Sequence, residues 1–377
     1  MAQQSGVRVK CYKGLNDPEL RRVWAELEQT GTVTAFHTLE FADLFVKYVL
    51  PAHKASLLVF QLVDADGASL MLLPMVYRRW RGVRFIESYD LDLVDYVMPL
   101  LAKDYAAKAP PFGEVWALIK AQMPKTDIID LKKMPFALAG IDNPLVSIAG
   151  VRDMGVSSHP IPVKSPEDVK VFEKSGVSAD YNKRQRRWLR EGHVVELLQA
   201  TNPQQLEEFF TQLAILRGRR FSSLHRNDAL REEDIRAFYL DMAHRGLESQ
   251  KATLFALHVD GEIVAAVYGI RHAGRLILVM IGANTENWKA FSPGLISFVS
   301  IARWAIEQKL DIYDLGVGDL PYKKRFPFQH CPMFEFQQAL TWRGEIFAAL
   351  QRARRQARIY LEQRPKLNLW VRRIRGK

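Results

Sequence analysis

Cysteine is nearly absent from this chain: Cys11 and Cys331 are the only two among 377 residues. Two thiols cannot build the multiply bridged framework of a small secreted domain, nor a thiolate zinc site. The nine histidines are scattered, with no His-x-x-x-His pair and no Cys/His cluster, so no metal is expected. No stretch approaches the ~18 uninterrupted apolar residues that cross a bilayer. The opening Met-Ala-Gln-Gln-Ser-Gly lacks a basic segment followed by an apolar run, so no signal peptide is expected. A reducing cytoplasm fits these features. Neither Gly-x-x-x-x-Gly-Lys-Ser/Thr nor Gly-x-Ser-x-Gly occurs, which argues against P-loop nucleotide hydrolysis and elbow-type serine hydrolysis. Excess charge is also missing from most of the chain. The formal net charge is +11, yet residues 343–377 alone carry +9, which leaves about +2 for the rest. A nucleic-acid binder usually spreads its basicity over a folded face instead.

What is present is an ordinary globular composition, 48% hydrophobic and 25% charged. Its length suits two domains of roughly 150 to 190 residues. A strand-turn-strand pattern occurs twice. Leu57 to Val63, an Asp66-Gly67 turn, Ala68 to Tyr77 and Val83 to Ile86 make the first copy. Thr253 to Val259, an Asp260-Gly261 turn, Glu262 to Ile270 and Arg275 to Ile281 make the second. Each copy is followed by a short strand ending in acid-Leu, at Asp130-Leu131 and Asp314-Leu315. The spacing predicts a duplicated α/β unit with mixed sheets.

Turn and cap signals divide the chain into an N-terminal domain over 1–150, a linker over 151–175, a C-terminal domain over 176–342 and a basic tail over 343–377. In the first half, Asp17-Pro18 starts a helix. A second helix spans Leu39 to Val49 and should stop at Pro51. An aromatic and acidic segment runs from Tyr89 to Tyr96, and the helix Phe112 to Gln122 leads into the strand at Asp127. In the second half a charged helix covers Ser178 to Arg190, and further helices cover Pro203 to Arg220 and Arg231 to His244. The stretch Pro135 to Pro166, rich in Gly, Pro and Ser, reads as a crossover between domains.

Two places in the second half can carry chemistry. Ser292-Pro293-Gly294 opens a helix with a serine cap and a first-turn proline. Free first-turn amides and the helix dipole make such a start a site for a pyrophosphate, and Gly294 allows close approach; taken alone, a plain capped helix is the commoner reading. Gly316-Val317-Gly318-Asp319 follows a strand, where open α/β sheets place ligands. There Asp319 can position or deprotonate an acceptor and Tyr322 can protonate a leaving group, with Lys323 and Lys324 nearby. A glycine turn beside a solvated basic patch is the plain alternative. The cluster Lys183, Arg184, Arg186, Arg187 and Arg190 can bind phosphates or RNA, or simply face solvent. The tail helix, Glu345 to Leu361, can lie on an anionic membrane or dock on the second domain.

Four stretches resemble the GNAT acyltransferase superfamily, in the tandem branch of CelD-like polysaccharide proteins related to Fem-type ligases. They are Tyr181 to Arg187, Arg219-Arg220, Phe291 to Ile296, and Tyr313 to Lys323. The resemblance implies a sheet parted at one point and an acyl-CoA co-substrate, with no metal. The carrier would lie along Ile281, Gly282 and Ala283, with its diphosphate at Ser292, Pro293, Gly294 and Leu295. Of the common single-domain loop Gln/Arg-x-x-Gly-x-Gly/Ala only Gly294 remains. Asp319 and Tyr322 would be catalytic, and Arg220, Gly316, Gly318 and Lys323 would hold substrate. The expected activity is N- or O-acyl transfer, from acetyl-CoA or another acyl-CoA, to a sugar or cell-envelope precursor, with a non-catalytic first half. In Fem-type relatives the donor is an aminoacyl-tRNA, and an accessory role in polysaccharide assembly stands as a further alternative.

Overall fold

A computed structural model describes residues 6–224 and 226–362. In the first half the strands are β1 (Arg8–Lys13), β2 (Ala55–Val63), β3 (Ser69–Trp80), β4 (Val83–Ser88), β5 (Leu100–Leu101) and β6 (Ile128–Pro135). A small hairpin, β7 (Ala137–Leu138) and β8 (Ile141–Asp142), precedes β9 (Arg152–Pro162). The second half adds β10 (Val195–Gln199), β11 (Ala252–Val259), β12 (Glu262–His272), β13 (Arg275–Ala283), β14 (Ile312–Val317) and β15 (Cys331–Ala339).

All but the small hairpin join one sheet of thirteen strands, in the order β1-β2-β3-β4-β6-β15-β9-β14-β13-β12-β11-β10, with β5 beside β3. The two expected meanders stand at its opposite ends. Their Asp-Gly turns form as the sequence indicates, with Gly67 and Gly261 at φ +88° and +86°, where a side chain would be strained. The run Leu57 to Val63 is buried at every position because helices and loops cover both faces of the sheet. Within each half one pair is parallel, β4 with β6 and β13 with β14, and each pairs over only three residues.

The centre of the sheet departs from expectation. The expected linker 151–175 contains β9, which pairs with β14 and β15, and the helix Pro166–Glu173. In return β15, from the second half, pairs with β6 of the first. The halves have thus exchanged their last strands. Gly155, Pro160 and Pro162 gave this strand the look of a loop. It tolerates them because its ladders are irregular on both sides.

Helices pack as the apolar patterns require. Asp17 accepts from the Leu20 amide and Pro18 opens the helix Pro18–Thr30. The second helix does not stop at Pro51: a wider π turn, Phe45–Val49, carries it on to Ala52. Across the halves, Phe41 meets Phe238 edge-on at 5.1 Å, Lys47 pairs with Asp241 at 3.0 Å, and Lys251 pairs with Glu28. The C-terminal helix Trp342–Glu362 docks on the first half rather than the second, with Phe347 edge-on to Trp80 and Phe85. Residues 363–377 of the expected tail lie outside the described residues.

Candidate active site at the parted strands

Strands β13 and β14 pair from Arg275/Ile312 to Ile277/Asp314 and then separate. Just past this point, Val279 is an extra residue in β13: Gly269 faces Leu278 and Tyr268 faces Met280. Such a bulge takes local peptide groups out of the ladder and re-aims them.

The far end of β13 meets the helix Pro293–Glu307. A side chain on Gly294 would touch Ile281 and Ala283 at ordinary contact distances, 3.6 and 3.9 Å, so these three expected residues do converge. Pro293 takes the first helical position as expected. Ser292 differs: its backbone is left-handed, at φ 53° and ψ 60°, and its hydroxyl caps nothing. Its carbonyl accepts the Leu295 and Ile296 amides instead, at 3.0 and 3.1 Å. Among the described residues the Gly294 N–H makes no hydrogen bond, so it is the amide left for an anion. Leu295 turns its side chain into the second-half core. Gly282 faces away, against the helix Pro203–Ser223, where a Cβ would come within 2.8–2.9 Å of Leu213 and Arg217 backbone atoms. Gly282 is thus a packing glycine, leaving only its backbone free to line a carrier.

The turn after β14 is braced from within. Gly316 and Gly318 take φ values of +73° and +111°. A Cβ on Gly316 would strike the Asp95 carboxylate at 2.6 Å, so this glycine makes room for a side chain of the first half. Asp95 accepts the Val317 amide at 3.2 Å, and Asp314 accepts the Gly316 amide at 2.8 Å. Tyr96 donates to Asp314 at 2.5 Å, and the Arg275 guanidinium lies over the Tyr96 ring. Lys323 is only 4% exposed and donates to the carbonyls of Gly316 and Val317, both at 3.0 Å. Burial lowers its pKa, while Asp95, Asp314 and Asp319 pull it back. Its charge is consumed inside the protein. Lys323 and Gly316 thus hold the turn that carries Asp319 and Tyr322.

Asp319, Tyr322 and Arg220 remain at the mouth. Tyr322 stacks on Phe298, with ring centres 5.1 Å apart and planes 10° from parallel. Burial pushes its hydroxyl up to about 12, with the Arg220 guanidinium pulling the other way. At neutral pH the phenol keeps its proton and can donate it. Arg220 is exposed near the end of its helix, and Gly318 has open space on its Cα. Sequence reasoning missed His159. Its Nε2 lies 3.7 Å from Asp319 Oδ1, its residue is 1% exposed, and its Nδ1 has no hydrogen-bond partner among the described residues. Burial first, then the Lys323 charge, holds His159 below its ordinary pKa, so it is a neutral base near pH 7. The only sequence signal was a histidine beside a proline, in a stretch that read as linker.

The basic helix Gly176–Arg190 lies against this corner. Arg184 donates to the Ala290 carbonyl at 3.1 Å, Arg187 covers Phe291, and Trp188 stacks on Trp288 at 5.2 Å. Lys183, Arg186 and Arg190 are exposed. On the other face of the sheet, a cleft of about 970 Å³ opens between the halves, with Tyr96, Arg275, Lys164, His330 and Phe136 in its walls. Among the described residues no group of three or more His, Cys, Asp or Glu side chains could hold a metal ion.

Residues 179–324 match the family described as Acetyltransferase (GNAT) domain. The second half thus carries a GNAT-type domain. The match spans the basic helix, the parted strands and the turn at Gly316 to Lys323. Solved structures of similar fold include FemX, with a TM-score of 0.55 at 11% identity, covering 86% of this chain and 97% of that one. L-PGS from Bacillus licheniformis gives 0.51 at 13% identity, covering 86% and 92%. The C-terminal domain (DUF2156) of a putative lysylphosphatidylglycerol synthetase from Agrobacterium fabrum gives 0.50 at 12% identity, covering 84% and 90%. At such identities these similarities concern the fold, and they extend over both halves, whereas the GNAT-type match lies in the second. No curated protein sequence gives a significant match.

Proposed function

We propose that the GNAT-type half transfers an acyl group from acyl-CoA to an amine or hydroxyl by direct attack on the thioester. What supports it is the free helix-start amide at Gly294 beside the end of β13, on a helix whose Phe298 stacks with Tyr322, and the approach of His159 to Asp319. The diphosphate of the carrier would rest on that helix start, with Ile281 and Ala283 beside its chain. Peptide N–H groups freed at the Val279 bulge suit the negative charge that develops on the carbonyl oxygen.

Asp319 would orient the acceptor and neutral His159 would take its proton as the new C–N or C–O bond forms. The carbon–sulfur bond then breaks, and its electron pair leaves on sulfur. A phenol near 12 is a weaker acid than an ordinary thiol near ~8.5, so complete transfer to the thiolate is uphill. Tyr322 would therefore donate a hydrogen bond to the departing sulfur, which takes its proton from solvent. An acceptor drawn from sugars or cell-envelope precursors rests on the likeness of Phe291 to Ile296 and Tyr313 to Lys323 to CelD-like sequences.

The acidity of Tyr322 also favours a second reading. A leaving alkoxide is far more basic than a thiolate, so a phenol near 12 matches an ester donor such as aminoacyl-tRNA better. The exposed Lys183, Arg186 and Arg190 would then meet phosphates.

Calorimetric titration with acetyl-CoA, on the natural chain and on Gly294→Glu, tests the first reading. A carboxylate in the first turn suits the helix dipole and repels a diphosphate. The expected result is an affinity loss of about tenfold or more, with a melting temperature unchanged or raised. If acetyl-CoA, free CoA and a longer acyl-CoA all fail to bind, the CoA reading is lost. Transfer from charged tRNA, weakening steeply with salt, would then carry the second.

A further inference from the structure

The helix Trp342–Glu362 has one face on the protein and one face bare. On the inner side Phe347 packs on Trp80 and Phe85, Ala348 is buried, and Gln337 donates to Gln351 at 2.8 Å. Gly344 sits so close to the Asp127 carbonyl that a Cβ would be 2.1 Å away. This inner face pins the orientation of the helix on the first half. On the outer side Trp342, Ile346 and Leu350 are 69%, 54% and 55% exposed. Their four-residue spacing places them in one row. Arg343 and Arg352 are exposed beside the row, and the Arg343 guanidinium lies 5.4 Å from the centre of the Trp342 ring.

We propose that this row is a docking face for an anionic lipid surface. Three aligned apolar side chains flanked by arginines suit the boundary between headgroups and acyl chains, where the rings and branched chains enter and the guanidinium groups stay with phosphate. Residues 343–377 carry a net charge of +9 in sequence, so the charge adjoining the row complements anionic headgroups. RNA would satisfy the arginines and leave the apolar row in water. No helix among the described residues is long and apolar enough to cross a membrane, so the contact is peripheral. The proposal stands apart from the donor and acceptor of the transfer reaction.

Co-sedimentation of the full chain with phosphatidylcholine vesicles, with and without phosphatidylglycerol, tests it. Binding should be about tenfold or more stronger on the anionic vesicles and should weaken as salt rises. Trp342→Ser/Ile346→Ser/Leu350→Ser should weaken it about tenfold or more, and Arg343→Glu/Arg352→Glu should do the same. Because these side chains face solvent, both variants should keep the natural melting temperature. Equal pelleting with neutral and anionic vesicles, no pelleting at low salt, or unchanged binding by the apolar variant overturns the proposal. So does self-association of the natural chain that the apolar variant alone abolishes, since the row would then belong to a second copy.

Discussion

The two halves contain the same parallel pair and treat the space beyond it in opposite ways. In the first half the parting is stitched closed. The Ser88 hydroxyl accepts the Lys132 amide at 2.7 Å and donates to the Lys132 carbonyl at 3.3 Å, and Lys133 pairs with Asp90 at 3.0 Å. The chain then wanders over residues 89–111, placing β5 against β3, before the helix Phe112–Gln122 begins. In the second half β13 runs on to Ala283, and residues 284–292 deliver the next helix directly to its end. A long connection separates strand end from helix start; a short one brings them together. The halves share a scaffold, and connection length with a few polar side chains sets what each parting can do.

The largest expected effect that sharpens this contrast is on Tyr322. Tyr322→Phe keeps the stack on Phe298 and removes the donor, so kcat should fall about 100-fold at constant melting temperature. A fall in stability without a specific loss of kcat would make the residue a packing element.

Acid should then act on the first half. His37 is fully buried there, and burial lowers its pKa to about 3. In the unfolded chain it titrates near its ordinary 6.5. Above pH 6.5 both states are neutral and stability is unaffected. Below it the unfolded state binds a proton that the fold refuses, so stability falls by ~1.4 kcal/mol per pH unit toward pH 3. Denaturant midpoints measured from pH 7 to 4 should decline less steeply in His37→Gln. Parallel declines would place the acid sensitivity elsewhere.

The smallest effect concerns the stitch itself. Ser88→Ala removes two hydrogen bonds to Lys132 and should cost about 1–2 kcal/mol without changing kcat. An altered kcat would show that the first parting communicates with the reaction.

Much of the scaffold could be read from residues alone. Asp-Gly turns between alternating apolar runs give the meanders, and acid-Leu strand ends give the parallel partners. The order of Ser-Pro-Gly and Gly-Val-Gly-Asp locates the corner. Other parts depended on long-range packing that local patterns do not encode. The exchange of β9 and β15 was hidden by prolines that only an irregular ladder tolerates. The burial of Lys323 was not legible, because nothing local reveals that Asp95, 228 residues earlier, supplies part of its surroundings. Ser292 read as a side-chain cap because residue type does not report a left-handed backbone. His159 joined the site only once its strand stood beside β14.

The exchanged strands give this chain an indivisible anatomy. Severed between the helices Pro166–Glu173 and Gly176–Arg190, the leading fragment would keep β9 without its neighbours β14 and β15, and the trailing fragment would keep β15 without β6 and β9. Each piece would expose raw hydrogen-bonding edges, the template for fibrils and swapped dimers. The two halves therefore form a single unit, in which neither can be removed or replaced without dismantling its twin.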